Sequence, residues 1–271
     1  MIYRILKTIV APRYGKKKHQ LFFEMLYRMS LTGMNIGGGA NVADSGELNV
    51  LYYIKEKLSA SGKRDGLVLF DVGANIGDYT LLLNEVFGSN AQIHSFEPSA
   101  KTYNKLTQNL EGKTKSLSYN FGLGDKNFRT VLYTDKDESG LASVFKRKLD
   151  HYNIDMNQSE DIEIKTLDSF CSEKNIKHIN FLKLDVEGNE KKVIEGAKEM
   201  INAGKIDFIQ FEFGGTSIDA RTYFQDYYYL LHQGYQIYRI VKDGVYPIAE
   251  YSEVFETFLP TNFLAQRRNF A

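Results

Sequence analysis

The apolar positions of this chain change period repeatedly, from strand-like runs to helix-like stripes and back. Leu67 to Phe70 is an unbroken apolar run of the kind a central parallel strand shows, and it gives way to a packed-helix pattern over 81–87. The alternation then repeats. Strands are expected over 92–97, 116–125, 162–168, 179–185, 206–214, 235–241 and 257–265, with a short extra one at 130–134, and Asp168 is expected to cap a short helix that follows it. Helices are expected over 100–110, opened by Pro98 and Ser99, and over 223–231, where Tyr223, Tyr227, Leu230 and Leu231 recur before Gly234. Asp243-Gly244 signals a hairpin into 245–250. Strands alternating with helices in this order predict an α/β fold, a doubly wound and mostly parallel seven-stranded sheet.

The first sixty residues show helical stripes only, so the chain divides into an N-terminal helical extension with a glycine-rich loop, 1–62, and the α/β domain, 63–271. Leu21, Phe22, Met25, Leu26 and Met29 recur at helical spacing, the usual mark of a core-facing stripe. A second helix is expected over 46–59, with Leu48, Leu51, Ile54 and Leu58 on one face and Ser45 as its cap. The loop at 34–47 has three consecutive glycines but no following lysine, so it is not a P-loop. It is expected near the mouth of the site, with Glu47 either a first-turn dipole partner or a ligand contact.

Residues 1–12 are apolar but interrupted by Arg4 and Lys7, far short of the roughly 20 residues of a membrane span, and show no clear signal-peptide cleavage site. An amphipathic packing helix is expected there. With Lys16, Lys17 and Lys18 close behind, weak attachment to a membrane surface stands as an alternative to a solvated basic turn.

Composition narrows the function. At 271 residues and 43% hydrophobic content the chain can bury one large core. Lysine and arginine equal aspartate and glutamate at 34 each, so no net field favours nucleic acid or an anionic membrane, and only local patches could do so. The single cysteine, Cys171, excludes an intrachain disulfide and any cysteine-based metal cluster, reads as a small buried hydrophobe, and suits a reducing, cytoplasmic setting.

The chemistry begins at the turn after the first strand. It reads Gly73-Ala-Asn-Ile-Gly77, with Asn75 where a dinucleotide fingerprint would place its middle glycine, and Asp71 at the strand end would repel a pyrophosphate. The same carboxylate can receive an ammonium group. Glu97, twenty residues past Gly77 at the end of the second strand, can accept hydrogen bonds from both hydroxyls of a ribose. An amino-acid end and a ribose end together describe S-adenosylmethionine.

Four stretches, Phe70-Asp-Val-Gly-Ala-Asn-Ile-Gly-Asp-Tyr-Thr80, Ser95-Phe-Glu-Pro98, Gly122-Leu-Gly-Asp125 and Leu182-Lys-Leu-Asp-Val-Glu-Gly-Asn-Glu190, occur here in the order in which the FkbM-type S-adenosylmethionine-dependent methyltransferases carry them. The chain resembles that family over about 67–265. The resemblance implies a class I methyltransferase fold and transfer of a methyl group to a hydroxyl, often on a sugar or natural product. It implies cofactor contacts at Asp71, Gly73, Asn75, Gly77, Thr80, Glu97, Pro98 and Asp185, with the adenine ring against Gly122 and Leu123.

Asp185 and Glu187 end one strand and Glu212 the next, which should bring three carboxylates to one rim beyond the strand ends. A carboxylate there can take the acceptor proton as the methyl bond forms, Asp185 first, then Glu187 and Glu212. The same oxygens could instead hold a hard cation such as magnesium, although no metal site is assigned. The polar insertion 135–160, expected to be mobile, is the place for acceptor selection, with Ser143 a candidate contact and His151 a solvated surface histidine. A small-molecule or glycan acceptor is therefore expected. The competing readings are a nicotinamide oxidoreductase, which Asn75 and Asp71 disfavour, and a binding module that keeps the cofactor without turnover.

Overall fold

The computed structural model describes residues 8, 10–38 and 45–270. The amphipathic segment expected at 1–12 lies mostly outside them, as do 39–44 of the glycine-rich loop. In chain order the helices are α1 (Gln20–Gly33), α2 (Glu47–Ala60), α3 (Asp78–Phe87), α4 (Ala100–Leu110), α5 (Leu167–Glu173), α6 (Glu190–Glu195), α7 (Lys198–Asn202), α8 (Thr216–Ala220) and α9 (Phe224–Leu231). The strands are β1 (Leu67–Val72), β2 (Ala91–Phe96), β3 (Leu117–Tyr119), β4 (Gly122–Leu123), β5 (Phe128–Thr134), β6 (Gln158–Lys165), β7 (Ile179–Leu184), β8 (Ile206–Phe213), β9 (Tyr235–Val241), β10 (Gly244–Ile248) and β11 (Thr261–Arg267).

The main sheet runs β10-β9-β11-β8-β7-β1-β2-β3. Its β8-β7-β1-β2-β3 part is parallel, while β11 is antiparallel to both β8 and β9. The strand order reverses between β1 and β7, which is where such sheets open a crevice beyond their carboxyl ends. The hairpin strand β10, on the turn signalled by Asp243-Gly244, is the eighth strand, one more than the seven expected.

Strands of alternating side chains divide the core in two. One face buries Leu69, Phe181, Phe208 and Ile93 against Val50, Leu51, Ile54 and Leu58 of α2 and Leu83, Val86 and Phe87 of α3. The other packs Phe70, Leu182, Ile209 and Phe211 against Leu167, Phe170 and Cys171 of α5 and Phe224, Tyr227 and Leu231 of α9. Cys171 is buried as expected, and burial pushes its thiol up to about 12.

Four local expectations are corrected. The run 116–125 is not one strand: Asn120 turns to donate to the carbonyls of Glu97 and Pro98, and the chain leaves the main sheet to pair Gly122 with Ile164 in a second sheet, β4-β6-β5. Ser45 does not cap α2; Gly46 does, with φ +91° and so close to the Val241 carbonyl that a Cβ would clash, while Ser45 Oγ donates to the Glu47 carboxylate at 2.9 Å. Asp168 does not cap α5, where Thr166 accepts from the Ser169 N–H; it instead accepts from Glu199 and Met200 and caps α7. Finally, the α1 stripe is not core: Leu21, Phe22, Met25 and Met29 are exposed, and Leu31 is the buried residue of that helix.

Candidate active site

Strand register builds the site. Phe96, Val72, Leu184 and Phe211 are neighbours across β2, β1, β7 and β8. One residue further on, at the carboxyl ends, come Glu97, Gly73, Asp185 and Glu212. This row is the rim. Gly73 has φ +82°, and a Cβ there would fall inside the Asp185 carbonyl oxygen, so the β1 turn and the β7 end can meet only through glycine. Asn75 takes the left-handed conformation too, at φ +47°, which asparagine tolerates.

Two residues back from the rim lies a second row, Ser95, Asp71, Lys183 and Gln210, on the α2 and α3 face. It is polar and nearly sealed. Thr80 bridges Asp71 (2.7 Å) and Ser95 (2.8 Å); the Lys183 ammonium lies 3.0 Å from Asp185, 4.0 Å from Asp71 and 4.2 Å above the Tyr79 ring. Gln210 accepts from Tyr79 at 3.1 Å and donates to Glu47 at 2.7 Å. Burial opposes the charge on Lys183, but Asp185, Asp71 and Glu47 outweigh it and hold the ammonium well above its ordinary value. Burial raises Asp71 and Glu47, with Lys183 pulling each back down.

A cleft of about 930 Å³, including its open mouth, lies over the rim. Gly73, Asn75, Glu97, Asp185, Glu187 and Asn189 form its polar side, and Pro98, Leu123, Leu132, Val144, Ile162 and Ile164 its apolar side. Glu97 accepts from the Asn75 N–H at 3.1 Å and the Ser99 N–H at 2.8 Å, yet burial raises it to about 7. Asn75 Oδ1 is buried without a hydrogen-bond partner. Asn189 fixes the Leu123 carbonyl at 3.0 Å.

The insertion lines the cleft through Ser139, Gly140, Ala142 and Val144 as an anchored strap. Ser143 pairs with Tyr133 through two backbone bonds and donates Oγ to the Glu187 carbonyl at 2.6 Å; Arg147 meets the Glu187 carboxylate at 2.8 Å. Leu149 and Met156 are buried, so the strap is not the mobile segment expected. Burial and Asp185 raise Glu187 to about 8 against the pull of Arg147. Glu212, expected as the third catalytic acid, is not among the residues that line the cleft; its carboxylate makes no hydrogen bond or ion pair among the described residues, and burial with Asp185, Glu187 and Glu190 nearby drives it well above the ordinary carboxylate range.

The structure thus brings Gly73, Asn75, Glu97, Pro98, Gly122, Leu123, Asp185 and Glu187 onto one cleft. It sets five other expected contacts behind the wall. Asp71 is fully buried, and the ammonium facing it is Lys183, not a ligand's; Thr80 is consumed in holding it. Gly77 packs on Leu106 and Leu110. Ser143 is fully buried, and Glu47 is tied to Ser45 and Gln210. Sequence reasoning missed Lys183, Gln210 and Arg147 as site residues, although a lysine and a glutamine inside apolar strands are a readable signal. Among the described residues no group of three or more His, Cys, Asp or Glu is arranged to hold a metal ion.

A glycine turn after the first strand and an acidic residue ending the second mark the α/β proteins that bind nucleoside cofactors. Residues 71–237 match the Methyltransferase FkbM domain, and the chain belongs to that family of methyltransferases. The 2-O-methyltransferase NoeI of Sinorhizobium fredii is 26% identical over 155 residues, 54% of this chain and 63% of that protein. The hexuronic acid methyltransferase AglP of Haloferax volcanii is 25% identical over 154 residues, 54% of this chain and 56% of that protein. The chain therefore spans less than two thirds of the length of these relatives. A crystal structure of methyltransferase FkbM from Methylobacillus flagellatus KT aligns at a TM-score of 0.46 and 16% identity, covering 74% of this chain and 44% of that one.

Proposed function

We propose that this protein is an S-adenosylmethionine-dependent O-methyltransferase acting on a hydroxyl of a saccharide or related natural product. The observation that carries the reading is Glu97: it follows β2 in the same cleft as Gly73, Asp185 and an apolar lining. That donor set fits the cofactor. Glu97 would accept from the ribose hydroxyls, Pro98, Leu123, Ile162 and Ile164 would cover the adenine, and the unpartnered Asn75 Oδ1 is a waiting acceptor. Asp185 and the Gly73 backbone would receive the amino-acid end, with Asp71 acting from behind by fixing Lys183 and so Asp185. When bound, the cofactor supplies a methyl group on a cationic sulfur.

The chain's own work is to align the acceptor, exclude water and accept one proton. Asp185 is committed to Lys183 and Glu187 to Arg147. The Glu212 carboxylate, next to Asp185 on the rim row, is not committed, so we assign it the proton and give Asp185 and Glu187 the orienting of the acceptor. Acidic groups at the mouth disfavour a phosphate backbone, and the names of the two relatives support a saccharide hydroxyl.

The test is calorimetric titration of S-adenosylhomocysteine and of a nicotinamide dinucleotide, followed by labelled methyl transfer to neutral, amino and uronic saccharides. Binding of the first ligand only is expected, weakened roughly tenfold or more in Glu97→Gln by loss of charge-assisted hydrogen bonds. No affinity for the demethylated cofactor would overturn the proposal. Binding without transfer to any acceptor would return the chain to a binding module.

A further inference from the structure

Helix α1 turns its apolar stripe to solvent. Leu21 is 83% exposed, Phe22 41%, Met25 50% and Met29 62%. At about 100° per residue these four side chains fall within an arc of roughly 100°, so they form one stripe and not scattered surface positions. Isolated exposed apolar residues are ordinary, whereas a contiguous stripe marks a surface that something covers.

Charge says what covers it. Arg13, Lys16, Lys17 and Lys18 precede the stripe and Arg28 flanks it, against the single acid Glu24, in a chain whose total charge is zero. Lys17–His19 form the turn that leads directly into α1, which sets the lysines at the end of the helix where Leu21 and Phe22 emerge. An apolar stripe bordered by cations matches a surface that is anionic above and apolar beneath. No helix among the described residues is long and apolar enough to cross a membrane, so the contact is peripheral. We propose that α1 docks this protein on an anionic membrane surface, with Leu21, Phe22, Met25 and Met29 in the headgroup boundary and the lysines on the headgroups. The proposal does not depend on the methyltransferase reading.

The experiment is sedimentation of the full chain with phosphatidylcholine vesicles, with and without phosphatidylserine, at low and high salt. Binding should require the anionic lipid and fall with salt, as screened attraction does. The double variant Met25→Glu/Met29→Glu should lower the vesicle partition coefficient roughly tenfold or more, and Lys17→Gln/Lys18→Gln should lower it on the anionic vesicles. Unchanged thermal unfolding and cofactor affinity in both variants keep a folding defect apart from a docking defect. Wild-type protein that ignores anionic vesicles, or a glutamate variant that binds them undiminished, overturns the proposal. A dimer in light scattering that the glutamate variant abolishes, without vesicle binding, assigns the stripe to a second copy and overturns it equally.

Discussion

Lys183 sits inside a strand whose neighbours are apolar, and three carboxylates share its one ammonium. Removing the cation leaves Asp71 buried beside Asp185 and Glu47 with no counterion, so Lys183→Met should cost about 3–5 kcal/mol in urea unfolding at pH 7. The penalty should shrink towards pH 5, because Asp71 and Glu47 are both raised and take up protons as the pH falls. An equal loss at both pH values would show that packing, not charge, sets the cost. For catalysis, Glu212→Gln should lower kcat on the order of a hundredfold or more, the usual worth of a positioned base. In the wild type the rate should climb as pH rises above neutrality, since a base works only when ionised and this one is held high; the climb should vanish in the variant. The rim acids were legible because they end strands. Lys183 and Gln210 stand out in the sequence only as polar residues inside apolar strands, and their role lies in a row across β1, β7 and β8 that no single strand displays.

At the scale of elements, the strap shows what sequence pattern hides. Its polar composition suggests a free loop, but it is pinned by long-range bonds from Ser143 and Arg147 to Glu187, 44 and 40 residues away. Residues 116–125 mislead for the opposite reason: they are continuous in strand character, yet at Asn120, whose side chain bonds the carbonyls of Glu97 and Pro98, they leave the main sheet for the second one. By contrast α4, β8 and β9 were readable nearly to the residue, because their periodicity and bounding Gly, Pro or Ser agree with the tertiary fold. The α1 stripe has the same periodicity as a core helix, and only the structure shows which way it faces. Cutting one anchor tests the strap. Arg147→Met should speed proteolysis within 136–157 and weaken S-adenosylhomocysteine binding about threefold to tenfold, by loss of one charge-assisted bond at the cleft mouth. Unaltered proteolysis would mean that Ser143 holds the strap alone.

Across the whole molecule, two sets of buried carboxylates pull stability in opposite directions with pH. Asp207, fully buried on β8, receives hydrogen bonds from Lys63 (2.9 Å), His178 (2.8 Å), Asn180 (2.9 Å) and Arg267 (3.1 Å), and these outweigh its burial and bring it down to about 2. A lowered folded pKa stabilises above the unfolded value of about 4 and is lost as pH falls through 2, here roughly 2 kcal/mol. Glu97, Glu187 and Glu190 behave oppositely: burial raises them to about 7, 8 and 7. Their contribution is complete below about pH 4 and is lost progressively as pH rises from there, until the last of them ionises in the folded state at about 7 to 8. The ligand-free protein should therefore melt highest near about pH 4 to 5, with Tm falling from about pH 5 to 8 and again below pH 4. Asp207→Asn should destabilise at pH 7 and flatten the acid side only. Glu97→Gln should flatten part of the alkaline side, because a neutral amide cannot lose the proton that the buried acid gives up. A Tm that holds level or rises from about pH 5 to 8 would mean that these carboxylates are solvated in solution, and with them the rim on which the proposed base depends.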